Sequence, residues 1–183
     1  MFWSEWISYG APWWRCWEQK NLDAMKELFP FEKAFAHLQN HKVQFIVCGG
    51  LAVAFCGFVR VTEDIDILVS TERATVERLL TALSTFGDGL GGTLSPDDFT
   101  LEPGCFEINE RECRIDIFTL MDGKTYEELL PEAQTFQAKN LNKPLIHLNK
   151  AQLISAKSST YRDKDRIDVD ALRKLQRQED KAF

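Results

Sequence analysis

The stretch VQFIVCGGLAVAFCGFVRVTEDIDILV, residues 43–69, limits what this chain can fold into more than any other part of it. It carries no charge before Arg60, and then sets Asp64 and Asp66 inside an otherwise apolar run. A membrane helix needs about 20 consecutive apolar residues. Gln44, the central Gly49-Gly50 pair and the charge that follows argue instead for a buried strand at VQFIVC, a glycine turn, and a short helix at GGLAVAFCG. EDIDILV then reads as a second strand.

In a strand, residues two apart share a face. Asp64 and Asp66 therefore project together, with Cα atoms roughly 6.5–7 Å apart, while Ile65, Ile67 and Val69 point to the core. RIDIF repeats the arrangement, with Ile115 and Ile117 inward and Asp116 outward. If the two strands are neighbours, three carboxylates converge. Like charges that close do not ionise comfortably without a counter-cation, and Mg²⁺ suits an oxygen-only site completed by water and phosphate. The plainer reading of Asp-x-Asp, the wet face of a half-exposed strand, is common. Gly49-Gly50 likewise reads either as a tight turn or as a place where backbone and helix N–H groups meet a phosphate.

Elsewhere the pattern alternates helices with strands. MKELFPFEKAFAHLQNHK predicts a helix from Met25 ending near Asn40, with Phe31, Phe35 and Leu38 at helical spacing. TERATVERLLTALSTFG predicts an amphipathic helix with Ser70 or Thr71 as N-cap. A glycine-rich loop spans 87–92, and ECRIDIFTL is the next strand. A short helix follows Lys124, AQTFQA and PLIHL are strand-like, and NKAQLISAKS and RDKDRIDVDALRKLQ are helices, the last with Ile167, Ala171 and Leu175 spaced by four. The expected fold class is α+β (or α/β), a mixed sheet flanked by helices with a small helical C-terminal appendage.

All five tryptophans lie within the first seventeen residues. Residues 1–24 read either as a segment that docks on the protein body or a partner, or as an extension upstream of a start at Met25. Residues 25–183 read as one domain, with the C-terminal helices beginning near 149.

With 22 basic and 28 acidic residues the net charge is −6. Gripping nucleic acid by bulk electrostatics needs the opposite sign, so that class is disfavoured. Five cysteines without a CxxC pair suggest a reducing compartment, with no disulfide framework and no zinc site. His37 and His41 stand four apart on the first helix and are expected in solvent, and His147 is expected to be structural. No basic, cleavable leader is visible, and the expected setting is cytoplasmic and not membrane-bound.

Taken together, strand, Gly49-Gly50, short helix, thirteen intervening residues, Asp64-x-Asp66 and a later Asp116 resemble the nucleotidyltransferase superfamily that includes DNA polymerase β. GGLAVAFCGFVRVTEDIDILV looks like its small bacterial branch, with AbiEii-type toxins and stand-alone transferases. Lys157, Arg162, Lys164, Asp165 and Asp168 match that branch's tail pattern. The resemblance spans roughly residues 31–175 and does not touch the tryptophan-rich start.

What it implies is a minimal nucleotidyltransferase fold and an enzyme that moves an NMP from an NTP to a hydroxyl, releasing pyrophosphate. Asp64, Asp66 and Asp116 would hold two Mg²⁺ ions, with Asp116 as general base. Gly49 and Gly50 would cradle phosphates. Lys157 would reach the β/γ-phosphates, with Lys150 seven residues earlier on the same helix face. Arg60 and Thr62 would orient the carboxylates or touch phosphate, and Arg162 and Lys164 would bind nucleotide or form a solvated charged face. The acceptor is a small molecule, RNA or protein, and a homodimer or an antitoxin-type partner fits the same branch. The contrasting expectation is a non-catalytic or regulatory nucleotide-binding protein on the same fold, docking a partner through its N-terminal aromatics.

Overall fold

In the computed structural model, which describes residues 31–89, 93–109, 113–160 and 162–181, the run at 43–69 turns back on itself. Strand β1 (Phe45–Val47) is buried along its length and leads through Cys48 into helix α2 (Gly49–Phe55). Strand β2 (Asp64–Val69) returns antiparallel to β1, pairing Phe45 with Val69 and Val47 with Ile67. The Cys48 N–H donates to the Asp66 carbonyl at 2.9 Å, so the glycine turn is stitched directly to the aspartate strand.

The other elements are α1 (Glu32–Asn40), α3 (Arg73–Ser84), β3 (Cys105–Asn109), β4 (Arg114–Phe118), α4 (Tyr126–Leu129), β5 (Gln134–Phe136), β6 (Leu145–His147), α5 (Lys150–Ser158) and α6 (Asp163–Asp180). Among the described residues, six strands form one mixed sheet in the order β3-β4-β2-β1-β6-β5. β2 runs parallel to β4 and β1 parallel to β6, while the remaining neighbours are antiparallel. The class is α+β, ending in a helix, as the alternation of patterns implies. None of the described helices is long and apolar enough to cross a membrane.

Ile65, Ile67, Ile115 and Ile117 are all at most 1% exposed, and they enter a core shared with Phe35, Leu38, Leu79 and Leu83 from α1 and α3. α1 is joined to α3 where His37 Nε2–H donates to the Ala82 carbonyl at 2.8 Å. The expectation of solvent for the histidine pair is therefore corrected: the His37 ring lies against Phe86 and His41, and the partly buried His41 donates from Nδ1 to the His37 carbonyl at 2.9 Å. His147 is buried, and desolvation pushes its pKa down, in keeping with a structural role.

Three local features differ from expectation. α3 begins at Arg73 with Glu72 as N-cap and no side-chain cap. Ser70 is buried: its hydroxyl donates to Glu127 at 2.5 Å, and its oxygen accepts from the Glu72 N–H at 3.2 Å, which belongs to the N-cap residue and not to the first turn of the helix. The edge strand β3 has no counterpart among the expected elements, and its short CFEIN run shows only weak alternation. On α6 the buried side chains are Asp165, Asp168, Val169 and Leu172, whereas Ile167 is 59% exposed. That face is turned inward by charge pairing, described below. The tryptophan-rich segment 1–24, the start of the first helix and residues 90–92 of the glycine loop lie outside the described residues.

Candidate functional site

Register decides which side chains meet. β2 and β4 pair Asp66 directly with Asp116, and β3 and β4 pair Asp116 with Glu107, so three carboxylates cross three strands at one level. One step back, Asp64, Arg114 and Asn109 form a second row; one step forward, Leu68, Phe118 and Cys105 form a third. Paired residues share a sheet face, and the alternation of buried isoleucines assigns this one to the cleft. The expected convergence of Asp64, Asp66 and Asp116 is thus present in the register.

The cleft has a volume of about 420 Å³. The carboxylates line it together with Glu107, Arg114 and Gly49, as do Lys157 from α5, Arg162 at the N-cap of α6, and Lys164 and Asp165 from α6. A volume of that size suits a small-molecule ligand.

Each carboxylate is treated differently. Burial acts against ionisation of Asp64, but the Thr62 hydroxyl at 2.7 Å and the Arg114 guanidinium outweigh it, holding the pKa below its ordinary value. Asp66 is pushed up to about 6 by burial and then by the neighbouring charges of Asp64 and Asp116, with the Gly50 N–H in partial opposition. Burial also raises Asp116, helped by Asp64 and Glu107 and opposed by Arg114. Two carboxyls raised beside one lowered is the pattern of like charges sharing one site.

The glycines answer to Asp66. Gly49 has φ +56°, and a Cβ there would lie 1.8 Å from Asp66 Oδ2. A Cβ on Gly50 would meet Thr62 Oγ1 at 2.6 Å. Gly49 lines the cleft; Gly50 does not, and its N–H is engaged by Asp66. Gly49 therefore permits the close approach of Asp66 while lining the cleft, and Gly50, expected beside it in a phosphate cradle, makes room for Thr62.

The basic residues divide likewise. Arg60 donates to both oxygens of the fully buried Asp168, at 2.8 and 3.0 Å. Lys157 bridges Asp165 at 2.6 Å and Asp168 at 3.0 Å. This chain of alternating charges is what turns the aspartate face of α6 inward, since buried ions require partners. Lys157, Arg162 and Lys164 line the cleft. Arg60 and Thr62 do not, although Thr62 orients Asp64. Lys150 is corrected: its ammonium pairs with Glu179 near the end of α6, away from the cleft, although it shares a helix with Lys157.

Arg114 and Glu107 escaped the sequence reading. Arg114 is two residues before Asp116, so the same alternation that selected Asp116 places it on that face. Glu107 lies on the edge strand whose pattern was too short to stand out.

Among the described residues, no group of three or more His, Cys, Asp and Glu side chains stands as a ready-made metal-ligand set. The donor chemistry nevertheless fits a hard cation. All the donors are oxygens, and Asp116 Oδ1 is buried without a hydrogen-bond partner. A positive group, the Arg114 guanidinium, already bridges Asp64 and Asp116.

No protein-family model matches this sequence, and no curated protein matches it significantly. The chemistry of the cleft therefore rests on its own geometry.

Proposed function

We propose that this chain is a Mg²⁺-dependent nucleotidyltransferase that moves an NMP from an NTP to a hydroxyl acceptor and releases pyrophosphate. The observation that carries the reading is that Asp64, Asp66 and Asp116 share one cleft with Lys157, Arg162 and Lys164. Carboxylates for a cation and cationic side chains for a polyphosphate are both needed, and on opposite sides. Asp64, Asp66 and Asp116 would hold the cation, whose chemistry is to neutralise phosphate charge and activate the attacking oxygen.

The chain's own residues do the rest. Asp116, raised by burial and neighbouring carboxylates, accepts the acceptor's hydroxyl proton. The freed oxygen forms its bond to the α-phosphorus as the bond from that phosphorus to the bridging oxygen breaks. Lys157, Arg162 and Lys164 offset the charge that collects on departing pyrophosphate. Thr62 holds Asp64 in orientation, and Gly49 lets Asp66 sit close beneath the turn. The acceptor shares a cleft of modest size with the nucleotide, which favours a small molecule or an extended end of a larger one over a broad RNA surface.

The test is incubation with each α-labelled NTP, with and without Mg²⁺, in extract from the cells that make the protein. Wild type and a folded Asp116→Asn variant run in parallel. A labelled product that requires Mg²⁺ and disappears in the variant supports transfer, and its size indicates the acceptor class. Binding of NTP without any transfer would favour a regulatory nucleotide-binding role, and absence of both would sink the enzyme.

A further inference from the structure

Arg114 occupies an unusual position for a strand arginine. It is the direct register partner of Asp64, and its Nη2 donates to Asp64 Oδ2. Its Nε stands 3.3 Å from Asp116 Oδ1. Both Nε and that oxygen are buried, and neither completes a hydrogen bond. The planar fork of a guanidinium is best matched by both oxygens of one carboxylate. Arg60 achieves that with Asp168. Arg114 is instead split across two carboxylates and satisfies the second poorly.

Its side chain also remains 41% exposed, against 23% for Arg60. A long side chain with an open path to solvent and an incompletely matched head is replaceable. Glu107, exposed and paired in register with Asp116, offers a third anion on the solvent side.

We infer that Arg114 is the built-in counter-ion of the carboxylate site, and that a divalent cation binds there by displacing it. The inference rests on reading Asp64, Asp66 and Asp116 as a cation site. Its consequence is a threshold: the site takes a divalent ion only when that ion competes successfully with a tethered guanidinium. By linkage, a ligand that draws Arg114 outward tightens cation binding by the same factor as the cation tightens that ligand.

The test is direct binding of Mn²⁺, followed by loss of the free-ion paramagnetic resonance signal, to the full chain without nucleotide. Wild type, Arg114→Gln, Arg114→Lys and Asp116→Asn are compared, with circular dichroism to confirm folding. Removing one positive charge adjacent to a divalent ion corresponds to about tenfold tighter binding even at a water-like dielectric. Arg114→Gln is expected to show that gain. Arg114→Lys, which keeps the charge and loses the fork, is expected to gain a few-fold, and it carries the test alone if the glutamine variant fails to fold.

Equal or weaker binding in the arginine variants, with wild-type binding that Asp116→Asn abolishes, overturns the displacement while leaving the cation site intact. Absence of Mn²⁺ binding in all four proteins overturns the displacement and the cation site together.

Discussion

Replacing Asp66 with asparagine isolates the cost of crowding carboxylates in this cleft. Burial and the charges of Asp64 and Asp116 raise Asp66 from 3.8 to about 6. A carboxyl with a raised folded-state pKa holds its proton more tightly when folded. Its contribution to stability is complete below the unfolded value and is lost as pH rises through the folded one. At 1.36 kcal/mol per pH unit, the loss amounts to about 3 kcal/mol. Asparagine is nearly isosteric, keeps an oxygen for the Gly50 N–H, and does not titrate.

In EDTA, urea unfolding of the two proteins should therefore diverge as pH rises from about 4 to about 7, in favour of Asp66→Asn by up to about 3 kcal/mol. At roughly 2–4 °C per kcal/mol for a chain of this size, that is a Tm gap of about 6–12 °C. Adding Mg²⁺ near neutral pH should close the gap from the wild-type side, since the cation supplies the missing counter-charge. Comparing the two proteins cancels the titration of Asp165, which is lowered, and leaves of Asp64's only the part that depends on its coupling to Asp66. A difference that stays flat across this pH range would refute the claim that Asp66 is desolvated among like charges.

Gly49→Ala should cost at least about 1–2 kcal/mol from the left-handed backbone alone, and more from driving Asp66 off the turn; denaturant unfolding and Mn²⁺ binding should both weaken. Asp168→Ala strands Arg60 beside a buried gap, leaves Lys157 with Asp165 alone, and should destabilise by about 3–5 kcal/mol. The exposed Asp163→Ala control should change little, and equal effects would dismiss the charge chain as an anchor for α6. Asn149→Ala removes the side-chain acceptor of the Gln152 N–H at the start of α5; about 1 kcal/mol is expected by thermal unfolding.

Much of the architecture was legible because it is written in short-range periodicity. The alternation in DIDILV and RIDIF separates core isoleucines from cleft aspartates before any partner strand is known. A central glycine pair with no charge around it places a turn between strand and helix. The capping boxes Thr125/Glu128 and Asn149/Gln152 mark helix starts where helices were expected.

What only the tertiary structure decided was which charges face one another. Lys150 and Lys157 stand two turns apart on α5, yet one pairs with Glu179 and the other enters the cleft. Spacing cannot distinguish them, because the partner is chosen by how α6 folds back. The aspartates of α6 look like a solvated face until Arg60, 108 residues away, binds Asp168 and turns that face inward. The row of Asp66, Asp116 and Glu107, and the arginine wedged beside it, likewise exist only once β2, β4 and β3 have chosen their register. Side-chain direction along one strand or helix is a local property of the backbone, so the sequence alone determined it. Charge compensation belongs to pairs of distant segments, and only the assembled sheet and its two closing helices determined that.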